Sequence, residues 1–220
     1  MTTDPAYQAT GAARVTGVLL AAGGGTRLGL GPKALLRHRG NTLAEHLVAE
    51  LRAGGCGDVV VVLGAQAERV RAEARLDERG PSHARVLVNG AWGSGMGGSF
   101  RAGIAALPAG TAALVALVDQ PGTDRRLVAR IIHAHRPGRV TAAGYAGQDG
   151  GLRRGHPVLF APAHARSAAL FARGDSAART WLARNPGLID LVDCSDLDDG
   201  GDVDTAEDLA RLVSDGGGEA

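Results

Sequence analysis

The sequence is short of aromatic residues, cysteine and long hydrophobic runs. Phenylalanine, tryptophan and tyrosine make up 3% of its 220 residues, and its two cysteines, Cys56 and Cys194, have neither metal-site nor disulfide spacing. No apolar run approaches the roughly 20 residues of a membrane-spanning helix, and the N-terminus lacks the basic flank and apolar core of a secretory signal. We therefore expect a cytoplasmic protein without a membrane partner.

A strong charge of either sign is also missing. The 24 lysines and arginines are balanced by 23 aspartates and glutamates, which leaves a formal net charge of +1. Proteins that bind long nucleic acids usually carry a clustered basic surface. We expect no nucleic acid partner, and any anion that the protein binds has to be recognised locally.

Apolar segments alternate with helical patterns over the first two thirds of the chain. Continuous apolar runs such as VTGVLLA and DVVVVL are typical of strands covered on both faces. Strands that alternate with helices imply right-handed crossovers and a mainly parallel sheet in an α/β fold. The predicted strands here are 15–21, 58–63, 84–88 and 112–118, and the predicted helices are 43–53, 67–76, 99–107 and 124–135.

The last third of the chain has a different pattern. Segments 140–145 and 157–160 are predicted strands joined by the turn-rich sequence GQDGG, without a crossover helix, and they indicate an antiparallel excursion. The remaining predicted segments are helices at 162–172, 176–184 and 205–213, a strand at 188–192, and flexible tails at 1–13 and 214–220 on either side of a single domain, 14–213.

A glycine-rich segment, LLAAGGGTRLGLGPK, follows the first predicted strand. Its small residues let backbone amides approach an anion, and Arg27 and Lys33 add positive charge, as in a phosphate cradle. A turn without a ligand and a Rossmann dinucleotide loop are the alternatives. A Walker A loop is excluded because no Gly-Lys-Ser/Thr follows. A dinucleotide loop is disfavoured, since the glycine spacing is one residue too long and the next strand ends in Leu63-Gly64, where an acidic ribose ligand is wanted.

Acidic residues stand where they could hold a metal ion beside that loop. Asp119 follows the fourth predicted strand, and ligands of parallel sheets bind at the carboxyl ends of the strands. Magnesium in nucleotide sites is commonly held by one or two carboxylates with phosphate oxygens and water. Asp119 could instead cap the next helix, although Thr123 or Asp124 could serve there. Asp202 and Asp204 could supply a second carboxylate or form a solvated helix start.

Two further segments are candidates for ligand contacts. The glycine-rich segment NGAWGSGMGGSFR places Ser99 at an expected helix start, where it could meet a base and ribose or simply cap the helix. His156 and Asp175 lie in the irregular second half, where a substrate-recognition region would be inserted. His156 taken alone is more typical of a structural histidine.

Six segments in this order resemble the MobA-like NTP-transferase family, and within it they are most similar to the molybdenum cofactor cytidylyltransferases. The segments are LAAGGGTRLGLGPK, NGAWGSGMGGSFRAGI, LVDQP, RGHPVLF, GDSAAR and GDVDTAEDL. The resemblance spans nearly the whole domain. It implies a three-layer, Rossmann-like nucleotidyltransferase fold, and CTP rather than GTP as the donor because the first segment begins LAAG.

The resemblance also implies roles for individual residues. Arg27, Lys33 and Asp119 would be catalytic, and Asp119 and Asp204 would hold Mg²⁺. His156 and Asp175 would contact a pterin-type acceptor. The implied nucleotide-binding residues are Leu20, Ala21, Ala22, Gly23, Gly24, Gly25, Lys33 and Ser99.

The implied reaction moves CMP from CTP to a phosphorylated pterin such as molybdenum cofactor and releases pyrophosphate, with a molybdoenzyme as a possible partner. Two positions depart from the family: Gly25 replaces a usual serine, and Ala177 replaces a usual glycine. Two alternatives stay open. One is an NAD(P)H-dependent oxidoreductase of the nicotine blue type, a role that some relatives carry, and the other is a non-catalytic accessory protein of a molybdoenzyme.

Overall fold

The computed structural model of the protein describes residues 14–148 and 150–212. The strands are β1 (Val15–Ala21), β2 (Arg37–His38), β3 (Asn41–Thr42), β4 (Asp58–Leu63), β5 (Arg85–Val88), β6 (Ala112–Leu117), β7 (Val140–Ala146), β8 (Leu152–Phe160) and β9 (Ile189–Asp193). The α-helices are α1 (Leu43–Ala53), α2 (Ala67–Glu73), α3 (Met96–Ala105), α4 (Arg125–Ala134), α5 (Pro162–Phe171) and α6 (Arg179–Arg184). Short 3₁₀ turns lie at Lys33–Leu35, Trp92–Ser94, Gly174–Ser176, Pro186–Leu188 and Glu207–Arg211.

Seven strands form one sheet in the order β5-β4-β1-β6-β8-β7-β9, and β2 and β3 form a separate hairpin. β1 pairs in parallel with β4 and β6, β4 with β5, and β7 with β9. β8 runs antiparallel to both of its neighbours, β6 and β7. The predicted fold, a mainly parallel sheet with an antiparallel excursion in the second half, is therefore confirmed.

Helices cover both faces of the sheet. Successive strand residues point to opposite faces, so each strand contributes side chains to two cores. Leu19 and Val61 face a core built with α1, α2 and α4. Val18 and Val60 face a second core built with α3, α5 and α6. The result is a three-layer arrangement in which the carboxyl ends of β1, β4, β5 and β6 open at the same edge.

Local hydrogen bonds explain where two of the helices begin. Thr42 and Glu45 have the sequence spacing of a capping box, and the box is present at the start of α1: Glu45 N donates to Thr42 Oγ1, and Thr42 N donates to the Glu45 carboxylate at 2.8 Å. At α4, the carboxylate of Asp124 accepts from the backbone N–H groups of Arg126 and Leu127. Asp119 is therefore not needed as a helix cap.

Three predicted helices begin or end elsewhere. α2 ends at Glu73 rather than 76, where Arg75 takes a positive φ of 45° and breaks the helix. α3 starts at Met96 because Gly95, with φ 104°, makes the turn, so Ser99 lies inside the helix rather than at its start. α6 is shorter than predicted, since the 3₁₀ turn at Gly174–Ser176 precedes it.

The predicted last helix, 205–213, is a 3₁₀ turn at Glu207–Arg211. The carboxylate of Asp208 accepts hydrogen bonds from the backbone N–H groups of Asp204 and Thr205, and this closes a tight loop in place of an α-helical first turn. Position 213 and the two predicted tails lie outside the described residues. Within the described part of the chain, no helix is long and apolar enough to cross a membrane.

Candidate active site

A cavity of about 290 Å³ lies where the loops after β1, β5 and β6 meet. This is the edge at which parallel α/β sheets bind their ligands. The first glycine-rich loop forms one wall, the Trp92–Ser94 turn and the start of α3 form another, and Asp119 lies at the exit of β6. We refer to it as the loop cavity.

Lys33 links two carboxylates at this cavity. Its Nζ lies 2.5 Å from Asp204 Oδ1 and 3.1 Å from Asp119 Oδ2. Lys33 is largely buried, with 14% of its side chain exposed, whereas Arg27 is 80% exposed and reaches only Asp204, at 3.4 Å. Lys33 is also the single lysine of the chain, against 23 arginines. The lysine is thus the inner cation of the site and Arg27 the outer one.

Backbone and side-chain contacts hold the distant Asp204 segment against the exit of β6. Val203 N donates to the carbonyl of Asp119 at 2.8 Å. Next to it, Gln120 Nε2 donates to Asp202 Oδ1 at 2.7 Å. These contacts explain how residues more than 80 positions apart in sequence form one acidic pair around Lys33.

The electrostatics of this pair are those of a partly buried site. Burial raises the pKa of Asp119, and the neighbouring Lys33 ammonium offsets part of that increase. Burial alone would lower the pKa of Lys33, but its contacts with Asp204 and Asp119 together raise it above the usual value. Lys33 is therefore a cation at neutral pH.

A divalent cation fits this acidic pair. Asp119 Oδ1 is buried and has no hydrogen-bond partner among the described residues, so a ligand position on that oxygen is free. The described residues contain no group of three or more potential metal ligands. Two carboxylates are nevertheless sufficient for Mg²⁺ or Mn²⁺ when phosphate oxygens and water complete the coordination.

The structure brings together most, but not all, of the residues predicted to bind the nucleotide. Ala21 and Gly24 do not line the loop cavity, and the Ala21 side chain is buried in the α1 side of the core. Ser99 lines it but is only 2% exposed, and its hydroxyl accepts a hydrogen bond from Asn89 Nδ2 at 3.1 Å. The predicted nucleotide-binding residues that do line the cavity are Leu20, Ala22, Gly23, Gly25, Lys33 and Ser99.

Both departures from the family pattern occupy unusual backbone conformations. Gly25 has φ 61°, and a Cβ there would lie 2.0 Å from the carbonyl oxygen of Gly31. The loop in this conformation has no room for the usual serine. Ala177 has φ 36°, a conformation that favours glycine and is strained for alanine.

A second cavity, of about 210 Å³, adjoins the first and is lined by His156 and Asp175. We call it the side cavity. Both cavities are lined by Leu20, Met96, Leu117 and Asp175. Burial lowers the pKa of His156 to about 4, with further lowering from the charges of Arg154 and Arg179. Although partly accessible, His156 is therefore neutral at physiological pH.

Trp92, Arg154 and Arg179 are among the cavity residues that sequence reasoning missed. Trp92 lies across Gly64, whose Cβ would be 2.4 Å from Trp92 Cβ, and it reaches towards the first loop. Arg154 and Arg179 line the side cavity. Both arginines belong to segments that carry the family resemblance, Arg154 as the first residue of RGHPVLF and Arg179 as the last of GDSAAR, so their basic charge was a signal that could have been used.

Comparisons with known proteins identify the family to which the chain belongs. A family model described as the MobA-like NTP transferase domain matches residues 17–188. The chain is 49% identical over 201 residues to a protein named nicotine blue oxidoreductase from Paenarthrobacter nicotinovorans, covering 90% of this chain and 96% of that protein.

Solved structures give the same result. Rv0371c from Mycobacterium tuberculosis H37Rv, in a complex with manganese, is 26% identical with a TM-score of 0.70, over 90% of this chain and 97% of that one. A nucleotidyl transferase from Methanothermobacter thermautotroptrophicus has a TM-score of 0.74 at 23% identity, over 90% and 95% of the two chains, and shares the fold. The chain belongs to the MobA-like NTP transferase domain family, a family of nucleotidyltransferases.

Proposed function

We propose that the protein is a Mg²⁺-dependent cytidylyltransferase that transfers CMP from CTP to a phosphorylated pterin, such as molybdenum cofactor, and releases pyrophosphate. The observation that carries this proposal is the bridge from Lys33 to Asp119 and Asp204 beside a glycine-rich loop. Lysine, arginine and bound metal ions are the groups that stabilise negative charge on phosphates during transfer, and this site brings such groups together.

Asp119 and Asp204 would hold the metal ion. The buried, unpartnered Oδ1 of Asp119 supports this assignment, and so does the manganese complex of the similar protein Rv0371c. When bound, the ion would supply positive charge that orients the triphosphate and stabilises the transition state. Lys33 Nζ already provides one positive charge between the two carboxylates.

The remaining chemistry falls to the chain's own groups. Amides of the loop around Gly23 and Gly25 would hold the phosphates. Lys33 and Arg27 would stabilise the negative charge that develops on the leaving pyrophosphate. The acceptor phosphate would enter from the side cavity, form a P–O bond to the α-phosphorus and displace pyrophosphate. No general base is required, because the acceptor oxygen is already anionic.

An oxidoreductase is the second candidate, favoured by the 49% identity to the protein named nicotine blue oxidoreductase. A dinucleotide site needs a ribose ligand after the second sheet strand. There, β4 ends in Leu63, and the next position, Gly64, is closed over by Trp92. This local geometry supports a triphosphate site over a dinucleotide site.

Calorimetric titration of the purified protein with CTP, GTP and NADPH, each with and without Mg²⁺, tests the proposal. We expect CTP binding that tightens with Mg²⁺, weaker GTP binding and no NADPH binding. NADPH binding without triphosphate binding would overturn the proposal in favour of the oxidoreductase. Triphosphate binding without pyrophosphate release in the presence of molybdopterin would instead identify the non-catalytic accessory role.

The single lysine allows a sharper second test. Reductive methylation with ¹³C-formaldehyde labels only Lys33 and the N-terminal amine, so the Lys33 signal can be assigned by comparison with Lys33→Ala. We expect Mg²⁺ and CTP to shift the Lys33 signal while the N-terminal signal stays unchanged. An unchanged Lys33 signal at saturating CTP would refute the placement of the triphosphate.

A further inference from the structure

Two arginines of the side cavity have no side-chain partner among the described residues. Arg154 lies on β8 and Arg179 begins α6. Neither makes a side-chain hydrogen bond or ion pair with any residue in the described part of the chain, whereas Arg125, Arg130 and Arg139 are all paired with carboxylates. An unpaired guanidinium facing a cavity is available to an anionic ligand.

The charge balance of the side cavity is positive. Asp175 is its single carboxylate, and the Asp175 side chain is paired with neither arginine. His156 also lines the side cavity and remains neutral, because burial and the charges of Arg154 and Arg179 lower its pKa to about 4. Two positive charges therefore stand against one exposed negative charge.

The floor of the side cavity is apolar and partly aromatic. The rings of Phe100 and Phe160 meet edge to face at 6.0 Å. The side cavity, at about 210 Å³, is smaller than the loop cavity, at about 290 Å³. Its size and its aromatic floor suit a compact ring system. The buried residues of this floor are Phe100, Val115, Val158, Phe160 and Leu182.

We propose that Arg154 and Arg179 bind the anionic group of the acceptor, and that the acceptor is a compact aromatic molecule carrying a phosphate or carboxylate. This proposal rests on the proposed function, because it takes the side cavity as the acceptor site. The two guanidiniums also reduce the repulsion between an anionic acceptor and the triphosphate in the adjoining loop cavity.

Two fluorescent pterins of similar size test the charge requirement. 6-Carboxypterin is anionic at pH 7.5, and 6-hydroxymethylpterin lacks the carboxylate. Binding is measured by fluorescence anisotropy at constant ionic strength. We expect the wild-type protein to bind 6-carboxypterin at least about tenfold more tightly than the neutral analogue, the factor expected from one charge-assisted hydrogen bond. Displacement by inorganic phosphate but not by acetate identifies phosphate as the preferred anion, and the reverse identifies carboxylate.

Neighbouring arginines provide matched control variants. Arg154→Gln and Arg179→Gln should each weaken 6-carboxypterin binding about tenfold and leave 6-hydroxymethylpterin binding unchanged. Arg153→Gln is the control on β8, since Arg153 lies over the Tyr145 ring and donates to the Asp199 carbonyl. Arg184→Gln is the control on α6, since Arg184 lies over the Phe171 ring. Both controls should bind within twofold of wild type.

Three results would overturn the proposal: equal binding of the two pterins, no binding of either, or equal losses in the control variants and in Arg154→Gln. Calorimetry with CTP on the same samples separates this outcome from failure of the proposed function. If CTP binds normally and the charge preference is missing, the acceptor assignment alone is wrong. If 6-carboxypterin binds through the two arginines and CTP does not bind, the nucleotidyltransferase proposal is wrong and the anion site stands.

Discussion

Gly25→Ser is the most informative single change in the phosphate loop, because it restores the residue usual in the family at a position where this chain has no space for it. The backbone has φ 61°, and a left-handed conformation costs a non-glycine residue about 1 to 2 kcal/mol. The added Cβ would lie 2.0 Å from the Gly31 carbonyl oxygen, whereas real Cβ contacts essentially never fall below 3.0 Å. To relieve this contact, the backbone at Gly31, two residues before Lys33, has to move by about 1 Å.

Two other glycines of the same loop separate the conformational cost from the steric one. Gly29 has φ 69° and no atom near its Cβ position, so Gly29→Ser should lower the free energy of unfolding by about 1 kcal/mol. Gly23 has neither a positive φ nor a close neighbour, so Gly23→Ser should change stability by less than about 0.5 kcal/mol. Gly25→Ser carries both the conformational and the steric cost, and it should lower the free energy of unfolding by about 2 to 4 kcal/mol.

Urea denaturation followed by circular dichroism measures this series. Trp92 fluorescence, in a Trp181→Phe background that leaves Trp92 as the single tryptophan, reports CTP binding, which we expect Gly25→Ser to weaken at least about tenfold. If Gly25→Ser is no more destabilising than Gly29→Ser, the close approach of Gly31 is wrong and the steric reasoning fails with it.

Three further predictions concern the rest of the site. Lys33→Ala and Asp119→Asn should each abolish pyrophosphate release and leave the far-ultraviolet circular dichroism spectrum unchanged. Lys33→Arg should also be inactive, since a planar guanidinium cannot replace a compact ammonium between two carboxylates. Activity in any of the three variants contradicts the assignment. His156 has a folded-state pKa of about 4 against an ordinary 6.5, so its stabilising contribution is complete above pH 6.5 and is lost as pH falls towards 4. In urea titrations between pH 7.5 and 4.5, His156→Asn should remove about 1 to 3 kcal/mol of the pH dependence of the free energy of unfolding. The same pH dependence in the variant and in the wild type would refute this prediction. Ala177→Gly should raise the melting temperature by relieving strain worth about 1 kcal/mol. Gly174→Ala, at φ 47° with open space around its Cβ, should lower the melting temperature. If calorimetry gives changes of the same sign for the two variants, backbone strain is excluded as the cause.

The fold could be predicted from sequence because its signals are local. Apolar runs such as 15–21 and 58–63 are long enough to identify buried strands, and the capping box at Thr42 fixes the start of α1. The errors occur where glycine and aspartate compete with helix formation. Gly95 moves the start of α3 to Met96, and the Asp208 carboxylate converts the predicted last helix into a 3₁₀ turn. Hydrophobic periodicity does not show where a glycine backbone or an aspartate side chain will interrupt a helix.

The site was less predictable because its geometry depends on contacts between distant segments. Sequence order placed Asp119 at a strand exit, but the pairing of Asp204 with Lys33 depends on the hydrogen bond from Val203 to the Asp119 carbonyl, which no local pattern encodes. Ser99 was predicted at a helix start, but it lies inside α3, where its hydroxyl accepts a hydrogen bond from Asn89.

The choice of lysine at position 33 follows from the same long-range geometry. With 23 arginines elsewhere, the chain uses its single lysine where one nitrogen contacts two carboxylates on separate segments, at 2.5 and 3.1 Å, with 14% of the side chain exposed. An ammonium is a compact charge that directs three donors from a single point, whereas a guanidinium spreads five donors over a rigid plane. The two short contacts of Lys33 converge on one nitrogen, which fits an ammonium better than a guanidinium. We therefore expect an arginine at position 33 to change the spacing between Asp119 and Asp204.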